Sequence, residues 1–225
     1  MTDRTLKRLS IAATFGMFVV LVMGATVTST GSGEGCGRSW PLCNGEFIPE
    51  FALSSLIEYS HRLVTGIEGL LIAVLAIGVW RAKRSRLEIQ ILVPVMVGFL
   101  LLQAGLGAAA VVWPQEKAVL ALHFGISLVA FASVFLTAVF LHQTDGRDSL
   151  RDRPVPIWFR RAGWGSIVYV YGVVYLGAYI RHTKTSLACF DWPLCNGYLF
   201  PGFSGPAGIA FAHRLAALGA VILVA

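Results

Sequence analysis

Trp40-Pro41-Leu42-Cys43-Asn44-Gly45 returns as Trp192-Pro193-Leu194-Cys195-Asn196-Gly197, 152 residues further on, and His61-Arg62-Leu63 returns as His213-Arg214-Leu215 at the same offset. Upstream, Gly24-Ala25 and Cys36 match Gly177-Ala178 and Cys189 at an offset of 153, so the copies differ by one residue in between. Six identical residues that include Trp and Cys, in register with a distant His, mark an internal repeat. Whatever the first half binds, the second half is expected to bind as well.

Around these motifs the chain is apolar. Hydrophobic residues make up 56% and charged residues 13%, where a soluble domain carries about 25% charged. Leu9–Val27, Leu63–Trp80, Ile89–Trp113, Val119–Leu141 and Ala162–Ile180 are apolar runs, and a sixth opens at Ala207. Each of the five approaches or exceeds the roughly 18 residues a spanning helix needs. The expected fold is an all-α, polytopic transmembrane bundle. Arg4, Lys7 and Arg8 ahead of the first run also suit a cleaved signal peptide. The run is long, however, and its Gly24-Ala25 end is repeated deep inside the chain, so it reads as a retained helix.

The repeat sets the domain organisation. Residues 1–145 read as a four-helix half and 146–161 as a cytoplasmic loop. Residues 162–225 then open a second four-helix half, related to the first by a pseudo-two-fold axis along the membrane normal. Only eleven residues follow Arg214, about 16 Å of helix against a core of about 30 Å. The expectation is therefore an eight-helix protein of which about five and a half helices are present.

Lys and Arg sort by side. An inside N-terminus puts Arg4, Lys7, Arg8, Arg81, Lys83, Arg84, Arg86, Arg147, Arg151, Arg153, Arg160 and Arg161 in the cytoplasm. Arg38, Arg62, Lys117, Arg181, Lys184 and Arg214 fall outside. The formal net charge of +6 then reflects topology and gives no reason to expect nucleic acid as a partner.

In this topology His61, at the outer end of the second helix, shares one membrane depth with His123 and His213, in the first turns of the fourth and sixth. Intramembrane ionisable residues are costly and default to a functional reading. Single imidazoles on facing helices suit the two axial positions of a haem; zinc asks for three or four ligands on one centre. His61 and His123 form the expected pair in the first half. His213 is expected to pair with a histidine of an eighth helix, about 152 residues after His123. His142, at the inner end of the fourth helix, reads as interfacial.

Glu58 stands three residues before His61, on the same helical face; it either works beside the imidazole or pairs with Arg62. The second copy has Ala210 there, so carboxylate chemistry would belong to the first half alone. Glu68, two turns below His61, is a proton relay or a hydrogen-bonded structural acid. Arg62 and Arg214 are candidate partners for haem propionates, and Arg181 and His182 are either further partners or interfacial anchors.

All four cysteines fall in outer loops, where an oxidising compartment permits disulfides. Cys36 with Cys43, and Cys189 with Cys195, would close equivalent small rings, as structural staples or as redox centres. Neither pair is C-x-x-C, which weakens a thioredoxin-type role. Neither carries the C-x-x-C-H pattern of covalent haem attachment.

Gly31-Ser32-Gly33-Glu34-Gly35-Cys36-Gly37-Arg38 leading into the Trp40 motif, with Glu58-x-x-His61-Arg62, resembles the haem A synthase family. So do Leu122-His123-Phe124-Gly125, Gly177-Ala178-Tyr179-Ile180-Arg181-His182 and Ala212-His213-Arg214. The resemblance covers essentially the whole chain and has a bacterial look. It implies oxidation of the C8 methyl of haem O, by successive hydroxylations, to the formyl group of haem A. By that resemblance His61 and His123 hold the substrate haem, Glu58 is the catalytic carboxylate, and His213 ligates a haem b. Cys36 and Cys43 match the family's outer-loop pair. Haem O synthase, haem-copper oxidase assembly and an unidentified electron acceptor are the implied partners in the bacterial inner membrane, with homo-oligomers possible in principle. Two other classes compete. A bis-His cytochrome b that only transfers electrons needs neither Glu58 nor the cysteine loops. A membrane thiol oxidoreductase needs a C-x-x-C that is missing here.

Overall fold

The computed structural model describes residues 1–48, 51–113, 117–143 and 155–224. They form six α-helices: α1 (Asp3–Thr30), α2 (Leu53–Lys83), α3 (Leu87–Val112), α4 (Lys117–Gln143), α5 (Ile157–His182) and α6 (Gly205–Val224). All six are long and apolar enough to cross a membrane, and the protein is an all-α, multi-pass membrane protein. Arg147, Arg151 and Arg153, expected on the cytoplasmic loop, lie outside the described residues.

Helix ends follow local chemistry. Thr2 caps α1, accepting the Thr5 N–H at 3.3 Å, and Asp3 adds a negative charge in the first turn, where the helix dipole favours it. Gly31 stops α1 in the left-handed region (φ 68°), its N–H turned back to the Thr28 and Val27 carbonyls. The helix α2 begins ten residues before the apolar run that predicted it. Two polar side chains in this added segment are held by the preceding loop: Ser55 Oγ donates to the Gly35 carbonyl at 2.6 Å, and Glu58 accepts the Cys36 N–H at 2.8 Å. His61 is consequently not at the helix end; it lies eight residues in, about 12 Å along the axis.

The chain divides into two compact units, Met1–Pro114 with Ile126–Leu150, and Gln115–Gly125 with Arg151–Ala225. In the first, α2 packs on α1 and α3, around Leu6, Met17, Ile72, Leu75, Ile89, Met96 and Val134. A 3.1 Å ion pair joins Asp3 to Lys83, so α1 and α2 run antiparallel. In the second unit α5 packs on α6. Outward faces carry exposed Phe15, Phe18, Leu70, Ile167, Val168 and Ile222, as lipid contact requires.

Candidate functional site

The repeated Asn-Gly builds the same turn twice. Asn44 and Gly45 have φ of 52° and 85°, Asn196 and Gly197 of 56° and 80°, the all-positive pair of a type I′ hairpin. Cys43 and Glu46 exchange backbone hydrogen bonds across the first turn, and Cys195 and Tyr198 across the second. Disulfides join Cys36 to Cys43 and Cys189 to Cys195, with Cα–Cα separations of 4.4 and 4.7 Å, the pairing expected from the loops. The equivalent positions Ser39 and Asp191 hold the turns. Ser39 Oγ accepts the Gly45 N–H, and the Asp191 carboxylate accepts those of Asn196 and Gly197. The Gly197 N–H above all keeps the Asp191 carboxyl below its ordinary pKa.

The two arginines lock these loops onto the helices. Arg62 Nη1 donates to the Ser39 and Leu42 carbonyls, both at 2.8 Å. Arg214 Nη1 donates to the carbonyls of Asp191 and Leu194, at 2.7 and 2.8 Å, which are the same positions in the second copy. The other Nη differs between the halves. Arg214 Nη2 reaches the Cys189 carbonyl at 2.9 Å, whereas Arg62 Nη2 pairs with Glu58. Glu58 is buried at 3% exposure, with one oxygen on Arg62 and the other on the Cys36 N–H. The acid thus sits between the arginine and the disulfide loop, and of the two sequence readings of Glu58 the pairing with Arg62 is observed. Sequence reasoning offered both guanidinium groups to propionates; here they hold main-chain carbonyls.

His61 and His213 occupy equivalent places, each the ninth residue of its helix and partly buried. Each imidazole lies with its Cε1–Nε2 edge on a glycine of the neighbouring helix. A Cβ at Gly24 would stand 3.3 Å from His61 Cε1, and one at Gly177 would stand 2.8 Å from His213 Cε1 and 3.0 Å from Nε2. The repeated glycines are thus the seats of the repeated histidines, a role the sequence reading did not assign. In both rings Nδ1 is buried without a hydrogen-bond partner among the described residues. His123 is the seventh residue of α4 and belongs to the second unit. His142 is exposed, its Nδ1 at 2.8 Å from the Ala138 carbonyl of its own helix. Arg181 and His182 form the last turn of α5. A groove of about 410 Å³ lined by Ile11, Thr14, Phe15, Phe18, Phe131, Phe135 and Ala138 holds none of these residues.

The seated imidazoles fit a haem by the chemistry of the donors. Each site offers one imidazole, partly open, on a ring edge that no side chain from the facing glycine position covers.

A model of the family described as cytochrome oxidase assembly protein, COX15-CtaA, matches residues 7–225. The chain belongs to the COX15-CtaA family. Among curated relatives it is similar to a haem A synthase of Symbiobacterium thermophilum, 45% identical over 225 residues, covering 98% of this chain and 74% of that protein. A haem A synthase of Bacillus licheniformis is 46% identical over 219 residues, covering 96% and 72%. One from Bacillus pumilus is 47% identical over 219 residues, covering 95% and 70%. The histidine seats and disulfide loops described above lie within the stretch that the COX15-CtaA family model covers.

Proposed function

We propose that this protein is a haem A synthase, an oxidative enzyme of haem biosynthesis. Its reaction is oxidation of the C8 methyl of haem O to the formyl of haem A by successive hydroxylations. The observation that carries the reading is the asymmetry of two otherwise matching sites. Both halves seat an imidazole on a glycine below a disulfide loop, and only the first adds a buried carboxylate, Glu58, where the second has Ala210. The first half is then the place of chemistry, and the second holds a haem b. The names of the curated relatives support the same conclusion.

In this reading His61 and His123 are haem ligands of the first half and His213 one of the second. Haem iron supplies the oxidation–reduction chemistry. The protein positions the methyl group: Gly24 seats the His61 ring and Glu58 aligns the loop above it, while Gly177 seats His213 in the second half. Arg62 and Arg214 position the loops, and these two with Arg181 are the guanidinium groups offered to the haem propionates. Haem O synthase supplies the substrate and haem-copper oxidase assembly consumes the product. The bacterial inner membrane is the location, with the N-terminus in the cytoplasm and the disulfide loops outside.

One observation favours a second reading. Both Glu58 oxygens are engaged, as a structural acid's would be, and a bis-His cytochrome b that only passes electrons would need no more. Co-expression of the intact protein with haem O synthase, followed by chromatography and mass spectrometry of extracted haems, separates the two. Haem A or its hydroxymethyl intermediate is expected, and Glu58→Ala is expected to keep bound haem while losing both products. Bound haem b with unaltered haem O from the wild type supports the cytochrome instead.

A further inference from the structure

We propose that Glu68 is a proton-binding site inside the first half, a neutral carboxylic acid whose proton exchanges with the haem side during the reaction; the role in turnover rests on the function proposed above. Glu68 is the sixteenth of the thirty-one residues of α2 and is buried at 4% exposure. Its Oε1 is without a hydrogen-bond partner among the described residues. It lies seven residues inward of His61, on the same helical face, about 10 Å along the axis.

Among the described residues of the first unit, the helices around Glu68 carry no counter-charge. The helix α1 carries no charged residue from Leu9 to its end, α2 none other between Leu63 and Trp80, and α3 none from Ile89 onward. From Ile126, α4 carries only His142, at its inner end. Gln103 is the buried polar side chain of α3. Glu58 is paired with Arg62, and Asp3 with Lys83. An isolated carboxylate at membrane depth is strongly disfavoured, and such a group holds its proton instead.

The site is shaped for this acid. The carboxyl group lies directly on Gly16 of α1, where a Cβ would overlap Oε2 and stand 2.7 Å from Cδ. The repeat shows what the same place looks like without an acid. Gly16 corresponds to Tyr169 and Glu68 to Ala220. In the second half the long side chain comes from the other helix: Tyr169 Oη donates to the Ala216 carbonyl at 3.0 Å and lies against Gly219. A neutral, hydrogen-bonded filling of this gap is therefore available to the architecture. The half that keeps an unsatisfied acid is also the half with Glu58. With Glu58 engaged by Arg62 and Cys36, Glu68 is the other buried carboxyl among the described residues of the first half.

The test is infrared spectroscopy of the intact, haem-loaded protein in H2O and D2O at neutral pH. A carbonyl stretch of a protonated carboxylic acid is expected, moved by D2O, absent from Glu68→Gln and displaced in Glu68→Asp. An unchanged spectrum in Glu68→Gln, with haem content retained, overturns the proposal. Gly16→Ala, which fills the seat, is expected to shift the band; no shift would remove Gly16 from the site. In turnover, Glu68→Gln is expected to keep its haem and lose about 10²-fold in conversion of haem O, the low end of what a placed proton-transfer group contributes, with partial recovery in Glu68→Asp. Wild-type conversion in Glu68→Gln overturns the role in the reaction. A wild type that converts no haem O sinks the enzyme reading alone, because the infrared band still decides the proton site.

Discussion

At the scale of single residues, the pairs His61–Gly24 and His213–Gly177 make a graded prediction. A methyl group at Gly177 would press the His213 ring at 2.8–3.0 Å, whereas one at Gly24 would stand 3.3 Å or more from His61. A rigid imidazole turning only about χ1 and χ2 yields to such an approach less readily than the end of a long flexible side chain. Gly177→Ala is therefore expected to lose most haem from the second half, and Gly24→Ala to bind nearly the normal amount in the first. Reduced-minus-oxidised absorbance per mole of protein measures both. Equal haem in the two variants would mean that the glycines do not seat the rings.

At the scale of elements, the disulfide loops carry stability that depends on closure and on pH. Rings spanning 7 and 6 residues restrict the unfolded chain by about 2 kcal/mol each in the loop-entropy account. Cys189→Ser with Cys195→Ser is expected to lower the midpoint of thermal unfolding in detergent accordingly. Asp191 sets the acid limit of the second loop. Its folded pKa is depressed, chiefly by the Gly197 N–H, so its contribution is complete above the ordinary aspartate value near 3.8. That contribution is lost as the pH falls through the lower folded value. The protection of the Asn196 and Gly197 amides, measured against their intrinsic exchange at the same pH, should fall in that window, and Asp191→Asn should remove the dependence.

The same elements show how far the sequence could be read. Six apolar stretches placed six helices, and the Trp-Pro-Leu-Cys-Asn-Gly repeat placed the loops and their cysteine pairs. Apolarity failed at the start of α2, because Ser55, Glu58 and Arg62 look like loop residues until their partners at Gly35, Cys36, Ser39 and Leu42 are known. The arginines' main-chain carbonyl partners on the loops were equally invisible, because nothing in the sequence pairs Arg62 with Ser39 and Leu42 or Arg214 with Asp191 and Leu194. Gly16 carried no signal at all, since a glycine in an apolar helix announces nothing about the acid fifty-two residues away. Gly24 and Gly177 were visible as repeats, but their use depends on a neighbouring helix that sequence periodicity does not identify.

At the scale of the whole molecule, the distribution of Lys and Arg predicts one orientation. Reporter domains inserted between α4 and α5 should be active in the cytoplasm, and those inserted in the loop after α5 on the outer side. The opposite pattern would place the cysteine loops in a reducing compartment, where the observed disulfides would not persist.

Because Tyr169 and Ala220 fill the place that Gly16 and Glu68 occupy, the second half serves as a natural blank for the first, carried in the same polypeptide and the same bilayer. Moving an acid across, with Tyr169→Gly and Ala220→Glu, asks whether the chemistry is portable or belongs to one address. A comparison of that kind ordinarily needs two proteins and an assumption that they are alike; duplication has already supplied both arms.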